Sequence, residues 1–248
     1  MSNLNIHRAY SETADIETSS DDYAGRFRGQ IGEWFLEIQE KATIEKLAVL
    51  KPATILDVGG GHGQLTSALI HHDYRLTVLG SAEVCKARIQ QFIDDQKCSF
   101  QVGNLLNIPF GDDQFDAVIS YRLLPHVNRW QEFIMELTRV ARRAVIVDYP
   151  EYRSFNAFSP LFFEMKKEIE GNTRPYRIFR EEEIFQVFKS QGFICNSKFR
   201  EFFLPMVVHR KMNSLTVSRS LEAMFRILGF TRLFGSPVIL EFIPENSS

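Results

Sequence analysis

The chain has 248 residues, enough for one large α/β domain with a sizeable core, here read as one such domain carrying an inserted cap. With 29 Lys and Arg against 31 Asp and Glu it is slightly acidic, and no basic stripe stands out that would recruit nucleic acid. Three scattered cysteines, Cys85, Cys98 and Cys195, form neither a pairing pattern nor a metal knuckle; with no signal peptide and no apolar run of membrane-spanning length, a cytoplasmic protein is expected.

Residues 1–22 are polar and rich in Ser, Thr, Asp and Glu, and are predicted to be a flexible lead-in. Over 23–51 the pattern changes: Phe27, Ile31, Trp34, Phe35, Ile38, then Ile44, Leu47 and Leu50 recur at helical intervals, which predicts two N-terminal helices ended by Pro52. A short apolar strand over 53–58 then runs into Gly59-Gly60-Gly61-His62-Gly63 and a helix through 71 with Leu65, Ala68 and Leu69 on one side. Glycines in a strand-to-helix turn let a ligand approach the backbone, and the helix start offers free N–H groups. The spacing is not the dinucleotide fingerprint, because Gln64 stands where a third glycine is required.

What stands there instead, Asp57, Gly59, Gly61 and Gly63, resembles the first motif of class I S-adenosylmethionine-dependent methyltransferases. The segment Gly103 to Asp116, with Gly103, Pro109, Phe110, Asp112, Phe115 and Asp116, resembles a second motif of that family. The closest flavour is the small-molecule branch, alongside quinone and sterol methyltransferases, and the resemblance covers about 52–150. It implies a doubly wound, Rossmann-like, seven-stranded and mostly parallel sheet with helices on both faces and the last strand antiparallel. A helical cap is added, with insertions at about 151–178 and 205–235 in a domain running 52–248.

The resemblance also assigns roles. Asp57, Gly59, Gly60, Gly61 and Gly63 would hold the methionine end of S-adenosylmethionine. The family places an acid at the end of the second strand (75–79) for the ribose hydroxyls; Leu79 or Gly80 stands there, so Glu83, in the first turn of the next helix, is the substitute, with Ser81 as its N-cap. After the third strand (99–102), Asn104 takes the place of the acid that accepts from the adenine amino group, with the Leu105 N–H beside it. Tyr23, Arg26 and Phe27 are candidate lid residues.

A fourth strand over 116–120 delivers Tyr121 and Arg122 to the carboxyl edge of the sheet, where ligands of such sheets collect, so both are catalytic candidates and Tyr121 a cofactor contact as well. His126 joins them because an imidazole titrates in the working range. An outer helix over 130–140 and a fifth strand over 144–148 follow, bringing Asp148, Tyr149 and Glu151 to the same edge. Beyond Pro150 the chain is rich in Phe: a cap over 153–176 is expected, with Phe155, Phe158, Leu161, Phe162, Phe163 and Met165 as candidate lining. Then come a helix over 181–191, a sixth strand over 193–203, a helix over 213–228 and a last strand over 236–243.

The expected chemistry is in-line transfer of a methyl group from the sulfonium to oxygen, nitrogen or carbon of a small, partly apolar metabolite, releasing S-adenosylhomocysteine. Alignment and exclusion of water would do most of the work. For a hydroxyl acceptor, His126, Tyr149, Glu151 and His209 are candidate bases; inward-turned Arg177 and Arg210 would indicate a carboxylate or phosphate on the acceptor. No metal is indicated, no nucleic acid is expected, and a monomer or homodimer is. The alternatives are a macromolecular (protein or RNA) methyltransferase and a non-catalytic S-adenosylmethionine-binding protein.

Overall fold

The computed structural model describes residues 10–154 and 176–247. Seven strands form one sheet in the order β3-β2-β1-β4-β5-β7-β6. They are β1 (Thr54–Val58), β2 (Arg75–Gly80), β3 (Cys98–Val102), β4 (Phe115–Ser120), β5 (Ala141–Tyr149), β6 (Phe193–Phe202) and β7 (Ser236–Pro244). The first five run parallel, and β7 lies antiparallel between β5 and β6. The expected topology is therefore present.

Helices are α1 (Ala14–Thr18), α2 (Asp21–Gly25), α3 (Gly29–Leu47), α4 (Thr66–His71), α5 (Gln90–Asp94), α6 (Trp130–Val140), α7 (Glu181–Ser190), α8 (Met206–Met212), α9 (Leu215–Ile227) and α10 (Phe230–Phe234). The central strands are buried on both faces, which is why they read as continuous apolar runs rather than alternating ones. Side-chain alternation splits them into two cores. Leu56, Val58, Val118, Val145, Val147 and Leu240 pack under α6 and α7, against Phe133, Ile134, Leu137, Ile184 and Phe188. Ile55, Ile119, Ile146 and Ile239 point the other way, to Ala42, Leu47, Leu65 and Leu69 on the side of α3 and α4.

Two expectations change. Residues 10–22 are not a flexible lead-in: α1 and α2 lie there, with Glu12, Asp15, Thr18 and Ser19 buried. Composition misleads because these polar residues bond to the domain rather than to water; Glu12 Oε1, for example, accepts the N–H groups of Asn128 and Arg129 at 3.0 and 3.2 Å. Ser81 does not cap a helix, since Ala82 takes that position before a 3-10 stretch at Glu83–Ile89. The proposed cap at 153–176 lies almost wholly outside the described residues. Between β6 and β7, α8 to α10 fill the second predicted insertion, held to the end of β6 by Glu222, which accepts the N–H groups of Phe203 and Leu204 and pairs with His209.

Candidate active site

Asp57 ends the buried strand β1, and the chain turns immediately after it through Gly59 and Gly63, both left-handed at φ 79° and 73°. Gly59 holds the turn to β2 through its N–H on the Leu79 carbonyl at 2.8 Å. The absent side chains make room for protein. A Cβ on Gly60 would lie 2.1 Å from the Asp57 carboxylate, and one on Gly61 would lie 2.2 Å from the Cys85 carbonyl oxygen and 2.5 Å from Ser19 Oγ. The turn is thus roofed by α1 and by the 3-10 stretch after β2, and is not the bare floor that the sequence implied.

What this turn presents to a ligand is unpaired polar atoms. Both Asp57 carboxylate oxygens are buried without a hydrogen-bond partner, and burial pushes the carboxyl pKa up to about 7. His62 Nδ1 accepts the Gln64 N–H at 3.2 Å, so its Nε2 is the protonated nitrogen of the neutral ring; Nε2 is buried and unpartnered too. Burial, with Arg122 and Arg88 nearby, pushes the His62 pKa down to about 3.

Alternation places three more side chains on the same face of the sheet as Asp57, all at its carboxyl edge: Tyr121 just past β4, Asp148 on β5 and Glu201 on β6. Arg122 links them. It is held in the left-handed region at φ 60°, a conformation that a non-glycine residue adopts at a cost, and its N–H donates to Asp148 Oδ1 at 2.5 Å. Its guanidinium lies 3.9 Å from the centre of the Phe27 ring and donates from Nη2 to Gln39 Oε1 of α3 at 3.3 Å, while Nη1 is buried without a partner. Burial pushes Asp148 up to about 6. Glu201, 1% exposed with neither oxygen hydrogen-bonded, is pushed up to about 8 by burial and by Asp148, against the pull of Arg122.

A family described as "Methyltransferase domain" matches residues 56–147. The match runs from β1 to β5 and takes in the glycine turn and Arg122. Norajmaline N-methyltransferase of Rauvolfia serpentina is 35% identical over 99 residues, 37% of this chain and 33% of that protein. 24-methylenesterol C-methyltransferase 2 of Oryza sativa subsp. japonica is 26% identical over 164 residues, 63% of this chain and 45% of that protein. The chain thus matches between a third and just under half of the length of these relatives. Among solved structures, magnesium protoporphyrin IX methyltransferase of Synechocystis PCC 6803 with bound SAH superposes with a TM-score of 0.64 at 15% identity, covering 93% of this chain and 98% of that one.

Several sequence-predicted roles shift. Tyr121 is buried in the core with its hydroxyl 2.7 Å from Thr43 Oγ1, and burial holds its pKa well above the usual phenol value, so it is placed as a brace to α3 rather than as an acid or base. Glu83 points to solvent and pairs with Lys86 at 2.6 Å. The carboxylate at the end of β2 comes instead from α1: Asp15, fully buried, accepts the Ser81 N–H and hydroxyl at 2.6 Å each and the Cys85 thiol at 3.3 Å. Asn104 Oδ1 accepts the Leu106 N–H at 2.9 Å, closing a turn that buries Leu105.

His126 is half-buried with its ring 5.5 Å from that of Tyr176. Tyr149 and Glu151 belong to a buried network on the opposite face, where the Tyr149 hydroxyl donates to Glu151 at 3.1 Å and Glu151 pairs with Arg200 at 3.2 Å. His209 is buried against Trp34, Phe35 and Phe202 and is 3.0 Å from Glu222. These three are accounted for by packing. Arg177 is an exposed partner of Glu183. Arg210, by contrast, turns inward to 5.9 and 6.0 Å from the Phe27 and Phe35 rings, and with Arg26 and Arg28 lines a cavity of about 620 Å³. The candidate lid residues Tyr23 and Phe27 have ring centres 5.8 Å apart in a tilted arrangement, with Arg122 over the Phe27 ring. Asp15, His62, Gln39 and Glu201 were not singled out in the sequence. His62 had a signal in its place inside the glycine motif; Glu201 had one as an acid in step with Phe199 on the apolar side of β6.

Proposed function

We propose that the chain is a methyltransferase that uses S-adenosylmethionine to methylate a small, partly apolar metabolite and releases S-adenosylhomocysteine. One observation carries the reading. Among the described residues, the turn after β1 holds a buried carboxylate without donors (Asp57) and a buried donor without an acceptor (His62 Nε2), and Arg122, whose Nη1 is also buried and unpartnered, is felt at His62. Buried unpaired polar atoms are costly, and an amino-acid zwitterion supplies the missing partners for all three. The ammonium of the cofactor's methionine portion would donate to Asp57, and its carboxylate would accept from His62 and Arg122.

When bound, the cofactor supplies a methyl group activated by a positively charged sulfur. The rest falls to the chain. Asp15 retains an acceptor position for a ribose hydroxyl in place of Glu83, and Asn104 Oδ1 keeps a second lone pair for the adenine amino group. Arg122, fixed by Asp148 and Gln39 and covered by Phe27, stands between the cofactor residues and Glu201. Phe27, Trp34, Phe35 and Phe202 supply an apolar wall that excludes water beside it. Arg26, Arg28 and Arg210 suit an acceptor that also bears a carboxylate or phosphate.

The named relatives act on small molecules, an alkaloid and a sterol, which supports the small-acceptor reading over a macromolecular one. A protein or RNA acceptor would need an open charged surface at Arg122, where Phe27 lies instead. Among the described residues no helix is long and apolar enough to cross a membrane, and the three free thiols suit a reducing compartment such as the cytoplasm. Calorimetry with S-adenosylhomocysteine tests the cofactor site: one molecule should bind per chain, and Asp57→Ala and Arg122→Ala should each weaken it tenfold or more. Absence of binding to the wild-type chain would overturn the proposal.

A further inference from the structure

Glu201 is the buried charge that the cofactor reading leaves without a role. It belongs to β6, four strands from Asp57 in the sheet order β1-β4-β5-β7-β6, so it lies beyond the reach of the zwitterion that Asp57 would hold. Its side chain shares a sheet face with Asp148, and the charged groups felt at its carboxylate are Asp148 and Arg122. The Tyr121 hydroxyl, which also feels Glu201, is occupied by Thr43. Asp148 has a donor in the Arg122 N–H; Glu201 has none. Among the described residues the cation felt at Glu201 is Arg122, already shared with Gln39, Phe27 and Asp148. Two carboxyl groups thus share one cation on this face of the sheet, and Glu201 is the one without a partner among the described residues.

We propose that Glu201, with Asp148 beside it, forms the acceptor subsite for a basic amine, which makes the methyl acceptor nitrogen. This rests on the methyltransferase reading above and narrows it. A hydroxyl offers one donor and no charge, and a carboxylate at the end of the acceptor that meets Glu201 would be repelled, whatever anion its far end carries toward Arg26, Arg28 and Arg210; an ammonium offers several donors and the missing positive charge. The ammonium's charge beside it favours the ionised form of Glu201, and one proton then passes from the ammonium to a Glu201 oxygen, leaving the nitrogen neutral with its lone pair free and Glu201 as the uncharged acid. A carboxyl already pushed up toward about 8 accepts that proton more readily than an exposed glutamate would.

The test uses the full chain saturated with S-adenosylhomocysteine and three probes of one shape, benzylamine, benzyl alcohol and benzoate, read by calorimetry. Benzylamine should bind at least tenfold more tightly than the other two, and Glu201→Gln should abolish that preference while leaving S-adenosylhomocysteine affinity within twofold. Equal binding of the three probes to the wild-type chain, no measurable binding of benzylamine, or an amine preference that survives in E201Q would each overturn the proposal. Should E201Q fail to fold, the comparison of probes on the wild-type chain still decides. Loss of S-adenosylhomocysteine binding itself would strike the cofactor site instead, so the two readings fail separately.

Discussion

Replacing Asp57 by Asn should make the ligand-free protein more stable, and increasingly so as the pH rises. Asp57 is 1% exposed and neither carboxylate oxygen has a partner, so burial alone raises its pKa, from 3.8 to about 7. The sign follows from proton linkage. Between the two values the unfolded chain has released this proton and the folded chain still holds it, so stability that is complete below pH 3.8 is lost as the pH climbs through about 7. Each pH unit in that interval costs about 1.4 kcal/mol, so the interval from pH 5 to pH 7 costs roughly 3 kcal/mol. Asparagine has no such proton and removes this slope.

The assay is urea unfolding without ligand at pH 5, 6 and 7, followed by tryptophan fluorescence from Trp34 and Trp130, with variant and wild type compared at each pH. The comparison is needed because other groups titrate in the same range. His62, pushed down to about 3, acts in the opposite direction: its stability is present above 6.5 and is lost as the pH falls toward 3. Asp148 and Glu201 act in the same direction as Asp57. The stability difference between D57N and wild type should grow by about 3 kcal/mol from pH 5 to pH 7. A difference that stays constant with pH would refute the claim that Asp57 is buried without a partner.

Gly61→Ala should destabilise by about 2 kcal/mol or more, because the new Cβ would meet the Cys85 backbone carbonyl at 2.2 Å; an unchanged unfolding midpoint would count against the roof over the turn. Asp15→Ala strands the buried Ser81 N–H and hydroxyl and should cost about 2 to 4 kcal/mol, with faster proteolysis near residue 20 as the readout. Asp116 is held down to about 2: burial opposes this, but bonds from Arg142 and from the Thr54 N–H and hydroxyl prevail. The stability it adds is present above pH 3.8 and lost as the pH falls toward 2, so Asp116→Asn should flatten the acid limb of the unfolding midpoint. Phe35→Ala, at the junction of Trp34, Phe202 and His209, should cost about 3 to 5 kcal/mol by thermal or urea unfolding.

The sequence by itself determined the sheet. The strands predicted at 53–58, 75–79, 99–102, 116–120, 193–203 and 236–243 coincide with observed ones to within a residue, because short runs of β-branched and apolar residues between turn signals have few other ways to bury themselves. β5 begins three residues earlier than expected, at Ala141, since the chain passes from α6 straight into the strand. The strand-to-helix glycine turn after β1 was equally legible, being local in the chain.

The tertiary structure decided which charges meet. Asp15 reaches Ser81 across 66 positions, Arg122 reaches Gln39 across 83, and Glu201 faces Asp148 from the far side of β7. None of these pairings leaves a spacing in the chain. Glu83 and Tyr121 read as site residues because they neighbour the motifs, yet one faces solvent with Lys86 and the other is spent on Thr43. Local pattern fixes which face a side chain takes; whether a buried carboxylate finds a partner depends on what distant segments bring to it, and that is where the chemistry of this site resides.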